Sequence, residues 1–462
     1  MVASEIGCRS ELRASVEGFL DDDEKLRGGE IEGVPVLGTT SELERTAREK
    51  EIDEVIIAVP TAPGRFVRDM IRRCLRAGVD YKIVPGLMEI IRGTVHIDQI
   101  RDVRVEDLLG RETVQFDMKA AEEELAGRRI LVTGAGGSIG GELCRLLARV
   151  HPDLLIMLGR GENSIFEIEE EIRNIAPGLE IRTLINDLRD PLRLEKMLGE
   201  LSPDVIYHAA AHKHVHYMER QPEEAVLNNI AATINLVKAA EGCGAERFVF
   251  ISTDKAADPR GVMGATKRIM ELYLMSISPE SGCRYITVRF GNVIGSRGSV
   301  VPLFLTQIGR GGPVTVSHPE ATRFFMTVRE ASLLVIQASI IGRGGDICIL
   351  DMGEALSINE IARDIIILTG HEPDSEIQIE FTGLREGEKL HEVLVGEDES
   401  LEIPEKGEKI MLARLAAEIP AGLEAALESM IDKAGRGDRR GVVHDIADLV
   451  PNFEPLPGRR GT

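Results

Sequence analysis

Three side chains capable of acid–base chemistry follow one apolar, strand-like run of the chain. Thr253, Asp254 and Lys255 come directly after residues 247–252, which read Arg-Phe-Val-Phe-Ile-Ser. A hydroxyl, a carboxylate and an ammonium at the carboxyl end of a strand can supply both an acid and a base for proton transfer. The alternative is that Asp254 caps a helix and Lys255 lies at the surface. Three polar groups seldom follow a buried strand together, so we predict a reacting centre here.

A glycine-rich turn upstream predicts a dinucleotide site. The turn comprises the candidate cofactor-binding residues Gly134, Gly137, Ser138, Ile139 and Gly140. It follows a strand-like run, residues 129–133, and precedes a helical pattern. Glycines at this spacing let the backbone approach a pyrophosphate, which the helix N-terminus then stabilises. A glycine-rich turn with a purely structural role is the alternative, and the flanking strand and helix disfavour it.

The ends of the second and third predicted strands bear on the choice of cofactor. An acid that binds the ribose hydroxyls would mark NAD, but Gly159 holds that position and Arg160 follows it. We therefore predict NADP as the preferred cofactor, with NAD as the second choice. A solvated Arg160 and a ribose contact from Glu162 are the competing interpretations. Asp187 and Leu188 are predicted to contact the adenine, and a turn-forming role for Asp187 is the equal alternative.

Small residues end the fourth predicted strand, and polar residues follow them. Ala209 and Ala211 leave room for a nicotinamide ring, so we assign them to the cofactor. Lys213 and His214 come next and are assigned to a substrate. The other two histidines of this stretch do not have a spacing that indicates zinc, and no metal site is predicted.

Strand-like and helical runs alternate along most of the chain, which is typical of an α/β fold. We predict a doubly wound parallel Rossmann sheet over residues 128–295, with a return segment near 346–352. A smaller substrate-binding lobe and C-terminal tail are predicted over 296–462. A connector over 108–127 is expected to join the sheet to an incomplete Rossmann-like domain over 1–107. That first domain has no glycine-rich loop, so it is expected to lack its first strand and a nucleotide.

Composition excludes several classes of partner. The 462 residues include 77 acidic and 55 basic side chains, and the resulting net charge of -22 repels nucleic acid and anionic lipid. An anionic substrate must therefore meet a local group of arginines and lysines. Six cysteines without a C-x-x-C pair predict reduced thiols and a cytoplasmic protein. No apolar stretch approaches the ~20 residues that span a bilayer, so membrane insertion of this chain is not expected.

The chain resembles the nucleotide-sugar 4,6-dehydratases of the polysaccharide biosynthesis group, which are extended short-chain dehydrogenases. The resemblance covers most of the chain and is carried by residues 133–140, 211–214, 252–255, 262–267, 289–293, 322–326, 350–354 and 383–390. The Tyr-x-x-x-Lys pair of these dehydrogenases is altered, because Met263 stands at the tyrosine position while Lys267 remains. This exchange resembles the membrane-linked branch that acts on UDP-N-acetylglucosamine, whose members carry transmembrane helices and a cytoplasmic catalytic domain.

The resemblance implies a reaction and a role for each catalytic residue. UDP-N-acetylglucosamine would be oxidised at C4, lose water across C5 and C6, and receive hydride at C6, for cell-surface polysaccharide synthesis. Lys255 is implied to be the base at C5, Asp254 the acid for the C6 hydroxyl, and Thr253 a helper in deprotonating the C4 hydroxyl. Lys267 is implied to bind the nicotinamide ribose. Met263 replaces the tyrosine of the catalytic set and is most simply a packing residue.

Candidate ligands of the UDP moiety lie in the second lobe. The resemblance supplies Arg323 and Arg385, with Asn292 and Glu388 nearby, and an arginine fork suits phosphate oxygens. For Arg323 the alternative is a surface ion pair. A homo-oligomer is expected. The competing functions are a UDP-sugar 4-epimerase, which has no need of the Thr-Asp-Lys trio, and a non-catalytic NAD(P)-binding sensor or scaffold.

Overall fold

The apolar runs of the sequence form strands, and the amphipathic runs between them form helices. The computed structural model describes residues 3, 6, 14–59, 64–84, 100–109, 116–404, 409–416 and 419–453. Its strands, numbered in chain order, are β1 (Phe19–Leu20), β2 (Glu30–Ile31), β3 (Val34–Gly38), β4 (Glu54–Ile57), β5 (Asp80–Ile83), β6 (Arg129–Thr133), β7 (Leu154–Gly159), β8 (Ile181–Ile185), β9 (Val205–His208), β10 (Arg247–Ile251), β11 (Arg284–Arg289), β12 (Asn292–Ile294), β13 (Val314–Val316), β14 (Thr322–Arg323), β15 (Phe325–Thr327), β16 (Ile347–Leu350), β17 (Leu356–Ser357), β18 (Ile379–Phe381), β19 (Glu399–Glu402) and β20 (Ile410–Leu415). Its α-helices are Leu43–Glu49, Gly64–Ala77, Met118–Leu125, Ser138–Leu147, Glu162–Ile175, Pro191–Leu201, Val215–Arg220, Pro222–Ala225, Ala232–Cys243, Val262–Ile277, Val300–Ile308, Val328–Ile341, Ile358–Leu368, Leu423–Gly435 and Arg439–Leu449.

The described residues group into two units, and the larger one contains the sheet on which the candidate site lies. This unit comprises residues 116–302, 316–359 and 381–462. Its strands form one sheet in the order β19-β20-β16-β11-β10-β9-β6-β7-β8. The strands from β16 to β8 run parallel, and β20 pairs antiparallel with both β16 and β19. The predicted doubly wound α/β fold is confirmed.

The strand order reverses at β6, which lies between β7 and β9. In open parallel sheets a ligand cleft lies outside the carboxyl ends of the strands at such a reversal. Register places Thr133 of β6 opposite His208 of β9, and His208 opposite Phe250 of β10. The turns that follow these strands therefore meet at one edge of the sheet.

The end of the chain contributes to the core of this sheet. Helices Leu423–Gly435 and Arg439–Leu449 place Met430 and Ile446 in the same apolar cluster as Phe248 of β10. From the sequence, this segment was predicted to belong to the substrate-binding lobe and C-terminal tail. Its apolar residues recur at helical spacing, and burying them stabilises the packed unit.

The smaller unit comprises residues 1–115, 303–315 and 360–380. It contains helices Leu43–Glu49 and Gly64–Ala77, and β4 pairs with β5 in parallel. The expectation that this unit lacks a first strand and a nucleotide stays a prediction.

Candidate active site

A tight turn joins β6 to helix Ser138–Leu147, with Gly137 as the N-cap. Gly134 has a φ of 66°, and a Cβ added there would lie 2.8 Å from the backbone nitrogen of Ala210. A Cβ on Gly140 would overlap the carbonyl oxygen of Gly134. Both positions therefore require glycine. Because glycine has no side chain, space is left next to the helix N-terminus. This space fits the pyrophosphate of a dinucleotide.

A cleft of about 300 Å³ lies beside this turn. Of the residues predicted to bind the cofactor, those lining it are Gly134, Gly137, Arg160, Asp187, Leu188, Ala209 and Ala211. Ser138, Ile139 and Gly140 lie in the first turn of the following helix. The structure thus brings most of the candidate cofactor residues to one cleft.

Two arginines hold Asp187 at one end of the cleft. Its carboxylate accepts hydrogen bonds from Arg189 Nη2 at 2.7 Å and from the Arg189 backbone N–H at 3.0 Å. Arg160 Nη1 lies 3.5 Å from the same carboxylate. The side-chain hydrogen bonds from Arg189 lower the pKa of Asp187 to about 2. Asp187 therefore remains an ionised acceptor, and Arg189, which the sequence analysis did not single out, positions it.

The polar residues after β10 form one hydrogen-bonded group. Asp254 begins a short 3-10 helix, Asp254–Ala256. Thr253 Oγ1 donates to Asp254 Oδ1 at 2.8 Å, and Lys255 Nζ donates to the same oxygen at 3.0 Å. Asp254 is fully buried, and its Oδ2 has no hydrogen-bond partner among the described residues. A buried carboxylate oxygen without a partner is unusual, and it is suited to receive a proton or a ligand hydroxyl.

A second carboxylate reaches Lys255 from a distant part of the chain. Glu392 Oε1 lies 3.6 Å from Lys255 Nζ, and the Glu392 side chain is 2% exposed. Asn292 Oδ1 accepts a hydrogen bond from Lys255 Nζ at 3.3 Å. Burial by itself lowers the pKa of Lys255, but Asp254 and Glu392 outweigh burial and raise the pKa above its ordinary value. Glu392 follows residues 383–390, the last motif of the family resemblance, by two residues and was not predicted from the sequence.

Met263 and Lys267 lie one turn apart on helix Val262–Ile277, and both are buried. Lys267 Nζ donates to the carbonyl oxygen of Ile251 at 2.7 Å and lies 4.3 Å from the centroid of the Phe250 ring. Burial lowers the pKa of Lys267 to about 7. Met263 is part of the apolar core. Lys267 can therefore donate hydrogen bonds at the edge of β10, whereas the Met263 thioether has no proton to transfer.

Lys213 and His214 both contact the segment that follows β12. Lys213 Nζ donates to Ser296 Oγ at 3.3 Å, and burial lowers the pKa of Lys213. A Cβ on Gly298 would lie 2.8 Å from His214 Cε1, so the backbone of this segment passes close to the imidazole ring. Both candidate substrate residues therefore lie next to the same irregular segment.

The two candidate phosphate-binding arginines have different environments. Arg323 is buried, and its guanidinium donates to three backbone carbonyl oxygens, those of Thr322, Lys389 and Leu390. Its Nε also lies 3.8 Å from Glu392 Oε1. Arg385 is exposed, and its backbone N–H donates to Glu388 Oε2 at 3.3 Å. Arg323 thus holds the segment that carries Glu392, and phosphate binding by Arg323 stays a prediction.

The model of the polysaccharide biosynthesis protein family matches residues 130–414, which contain this whole site. The chain belongs to this family. A second model, of a CoA-binding domain, matches residues 2–85.

Two bacterial relatives match most of the chain. The probable polysaccharide biosynthesis protein EpsC of Bacillus subtilis (strain 168) is 45% identical over 382 residues, which are 82% of this chain and 64% of EpsC. The capsular polysaccharide biosynthesis protein CapD of Staphylococcus aureus is 41% identical over 414 residues, 89% of this chain and 69% of CapD. The chain therefore spans about two thirds of the length of these relatives.

Relatives named for UDP-sugar chemistry match a shorter part of the chain. The UDP-N-acetylglucosamine 4,6-dehydratase (inverting) of Campylobacter jejuni subsp. jejuni serotype O:23/36 (strain 81-176) is 31% identical across 59% of this chain and 79% of its own length. A UDP-glucose 4-epimerase of Rickettsia akari (strain Hartford) is also 31% identical, across 61% of this chain and 81% of its own. Both of these relatives are named for chemistry on UDP-sugars.

Solved structures share the fold. Pen from Bacillus thuringiensis has a TM-score of 0.57 and 32% sequence identity, covering 65% of this chain and 90% of Pen. A double mutant of DesIV, a dTDP-glucose 4,6-dehydratase from Streptomyces venezuelae, was solved with NAD bound. It has a TM-score of 0.52 and 22% identity, covering 58% of this chain and 88% of DesIV.

Within the described residues, no helix has both the length and the apolarity needed to cross a bilayer.

Proposed function

We propose that this protein is a nucleotide-sugar 4,6-dehydratase that converts UDP-N-acetylglucosamine to the UDP-4-keto-6-deoxy sugar for polysaccharide synthesis. The observation that carries the proposal is the hydrogen-bonded group of Thr253, Asp254 and Lys255 at the carboxyl end of β10, in which Asp254 is fully buried. It provides a hydroxyl, an acid and a base after β10, the strand that pairs with β9, and the residues that follow β9 line the cleft. Similarity to a dehydratase named for the same substrate supports it.

The bound nicotinamide supplies a hydride acceptor for C4 and a hydride donor for C6. Thr253 accepts the proton of the C4 hydroxyl while passing its own to Asp254 Oδ1, which lies 2.8 Å away. Lys255, as the neutral amine, takes the C5 proton once C4 is a ketone. Asp254 then gives its proton to the departing C6 hydroxyl, which leaves as water. As C6 receives hydride, the Lys255 ammonium returns a proton to C5. Asp254 and Lys255 therefore both end with their starting charge.

We propose that NADP is preferred over NAD, with Arg160 near the extra phosphate. Its guanidinium lies 3.5 Å from Asp187 and is about half exposed, so it can turn toward a 2′-phosphate. Lys267 donates to the nicotinamide ribose in place of the Ile251 carbonyl. For the sugar nucleotide we propose Lys213, His214, Asn292, Arg323, Arg385 and Glu388 as contacts.

Incubation with UDP-N-acetylglucosamine tests the proposal directly. A dehydratase releases a product lighter by one water, whereas a 4-epimerase conserves the mass. A 4-epimerase is the alternative, because the UDP-glucose 4-epimerase of Rickettsia akari and the Campylobacter dehydratase are both 31% identical to this chain. A product of unchanged mass that is the C4 epimer of the substrate would establish the epimerase.

Asp254→Asn gives the residue-level test. Asparagine keeps the shape of the side chain but cannot carry the proton to the C6 hydroxyl, so turnover should fall by about 10² or more. Calorimetric binding of the dinucleotide should stay within about twofold of the wild type, because Asp254 is not among the residues that line the cleft. Near-normal turnover would remove Asp254 from the mechanism.

The remaining alternative is a non-catalytic NAD(P)-binding sensor or scaffold. It would be supported if bound dinucleotide were never reduced by any UDP-sugar and no product formed.

We further propose a cytoplasmic, homo-oligomeric protein. The cysteines of the described residues are free thiols, as is usual in a reducing compartment. Light scattering on the purified chain measures the oligomeric state.

A further inference from the structure

An irregular segment, residues 295–299, contacts both Lys213, which is assigned to the sugar nucleotide, and the glycine-rich turn, which is assigned to the dinucleotide. It reads Gly-Ser-Arg-Gly-Ser, and Gly295 and Gly298 have φ values of 71° and 70°. Only glycine adopts this backbone region without strain, so the segment turns sharply at both positions. Ser296 accepts a hydrogen bond from Lys213 Nζ, whereas the next residue, Arg297, contacts the glycine-rich turn.

Arg297 contacts the glycine-rich turn through both its backbone and its side chain. Its backbone N–H donates to Ser138 Oγ at 3.0 Å, and Nη1 donates to the carbonyl oxygen of Gly136 at 3.0 Å. Nη2 lies 3.2 Å from Glu167 Oε2, and the Arg297 side chain is 68% exposed. A guanidinium is therefore fixed beside the turn that fits a pyrophosphate, in a position open to solvent and ligand.

A pyrophosphate bound beside the glycine-rich turn needs a nearby positive charge, because the chain as a whole is strongly acidic. The pyrophosphate carries two negative charges, and the chain has a net charge of -22. The helix N-terminus supplies only about half a positive charge. A guanidinium has five N–H donors and can grip a phosphate oxygen while keeping its bond to Gly136.

We propose that Arg297 is a dinucleotide-binding residue whose guanidinium pairs with the pyrophosphate and holds residues 295–299 over it. The proposal rests on the dinucleotide part of the proposed function, and not on dehydration. Because the reaction returns its hydride to the sugar, the cofactor has no need to leave between turnovers. A cationic contact that slows its release is consistent with that cycle.

Calorimetric titration of the full chain with NAD⁺ and with NADP⁺, in the absence of sugar and after removal of any copurified dinucleotide, tests it. Arg297→Ala should weaken both dinucleotides by about tenfold or more, since both contain the pyrophosphate. Arg173→Ala is the matched control. Arg173 is also a half-exposed arginine paired with a glutamate of the same helix, Glu162–Ile175, and its loss should change neither affinity.

Two results would overturn the assignment. Binding of NAD⁺ by Arg297→Ala within about twofold of the wild type would mean that Arg297 does not reach the pyrophosphate. Weaker binding of NADP⁺ with unchanged binding of NAD⁺ would mean that Arg297 contacts the 2′-phosphate instead of the pyrophosphate. Circular dichroism at matched concentration shows whether the variant is folded. A wild type that binds NAD⁺ but dehydrates no sugar would end the proposed function and leave this test intact.

Discussion

Two buried carboxylates share the Lys255 ammonium, and in the proposed mechanism this sharing determines when Lys255 can act as a base. Asp254 Oδ1 lies 3.0 Å and Glu392 Oε1 3.6 Å from Lys255 Nζ. Asn292 is a neutral neighbour, and Arg323 is a more distant cation that opposes the carboxylates. Because the pKa of Lys255 is raised, the ammonium dominates at neutral pH and the neutral amine forms only as the pH rises. Proton abstraction from C5 should therefore accelerate with pH.

Glu392→Gln should move this acceleration to lower pH. Glutamine has the same shape without the charge, so the pKa of Lys255 falls and more amine is neutral at a given pH. At pH values below the rise of the wild-type pH profile, we expect the C5 proton to exchange roughly threefold to tenfold faster in Glu392→Gln than in the wild type. Deuterium incorporation at C5 in heavy water, followed by mass spectrometry across a pH series, measures it.

Glu392→Asp is the matched control for this series, because it keeps the charge and should keep the profile near that of the wild type. An unmoved profile in Glu392→Gln would show that Glu392 does not set the protonation of Lys255. Lys255→Ala should abolish C5 exchange while leaving the dinucleotide bound, which separates a wrong base assignment from a wrong role for Glu392.

At the scale of elements, a buried ion network ties the turn that carries Thr253 and Asp254, which is the catalytic turn of the proposed mechanism, to the segment that carries Glu392. Arg289, at the end of β11, donates to Glu271 at 2.6 Å and to Glu399 at 2.8 Å. Ser252, directly before the catalytic turn, donates to Glu271 at 2.6 Å. Arg289 and both carboxylates have fully buried side chains. The network therefore fixes where the turn after β10 and the segment before β19 approach each other.

Arg289→Leu should destabilise the larger unit by about 3 kcal/mol or more, since it removes a cation from two buried carboxylates. Denaturant unfolding, with hydrogen exchange in helix Val262–Ile277 as the local probe, measures the loss. Arg128→Leu is the control, because its pair with Glu246 is exposed and should contribute less than about 1 kcal/mol. Similar losses in the two variants would show that the network does not contribute to stability beyond a surface pair.

Elements and adjacent residues could be predicted from the sequence, whereas contacts made by irregular segments could not. Buried parallel strands appear as apolar runs, so the sheet and the turn at 134–140 follow from pattern. Thr253 and Asp254 meet because they are neighbours in the chain. Glu392 and Arg297 reach the site from segments without periodicity, and their positions depend on tertiary contacts that a pattern does not record.

At the scale of the whole molecule, the smaller unit has an electrostatic feature of its own. Asp364 lies within 3.5 Å of both Arg68 and Arg72, and its side chain is 4% exposed. Burial raises the pKa of Asp364 to about 6, although the two arginines oppose this. The unfolded chain releases this proton near pH 4. The folded unit therefore binds more protons than the unfolded chain between about pH 4 and 6, and its stability falls as the pH rises through that window.

Asp364→Asn should remove this pH dependence, because asparagine does not titrate. In the wild type the protection of helix Gly64–Ala77 against hydrogen exchange should fall by up to about 3 kcal/mol from pH 4 to pH 6, after correction for intrinsic exchange rates. The variant should show a flat profile over the same range. Asp69→Asn, which alters an exposed pair with Arg73 on the same helix, should retain the slope. Helix Val262–Ile277 of the larger unit should respond equally in all three proteins, so a slope lost there as well would refute a local origin in Asp364.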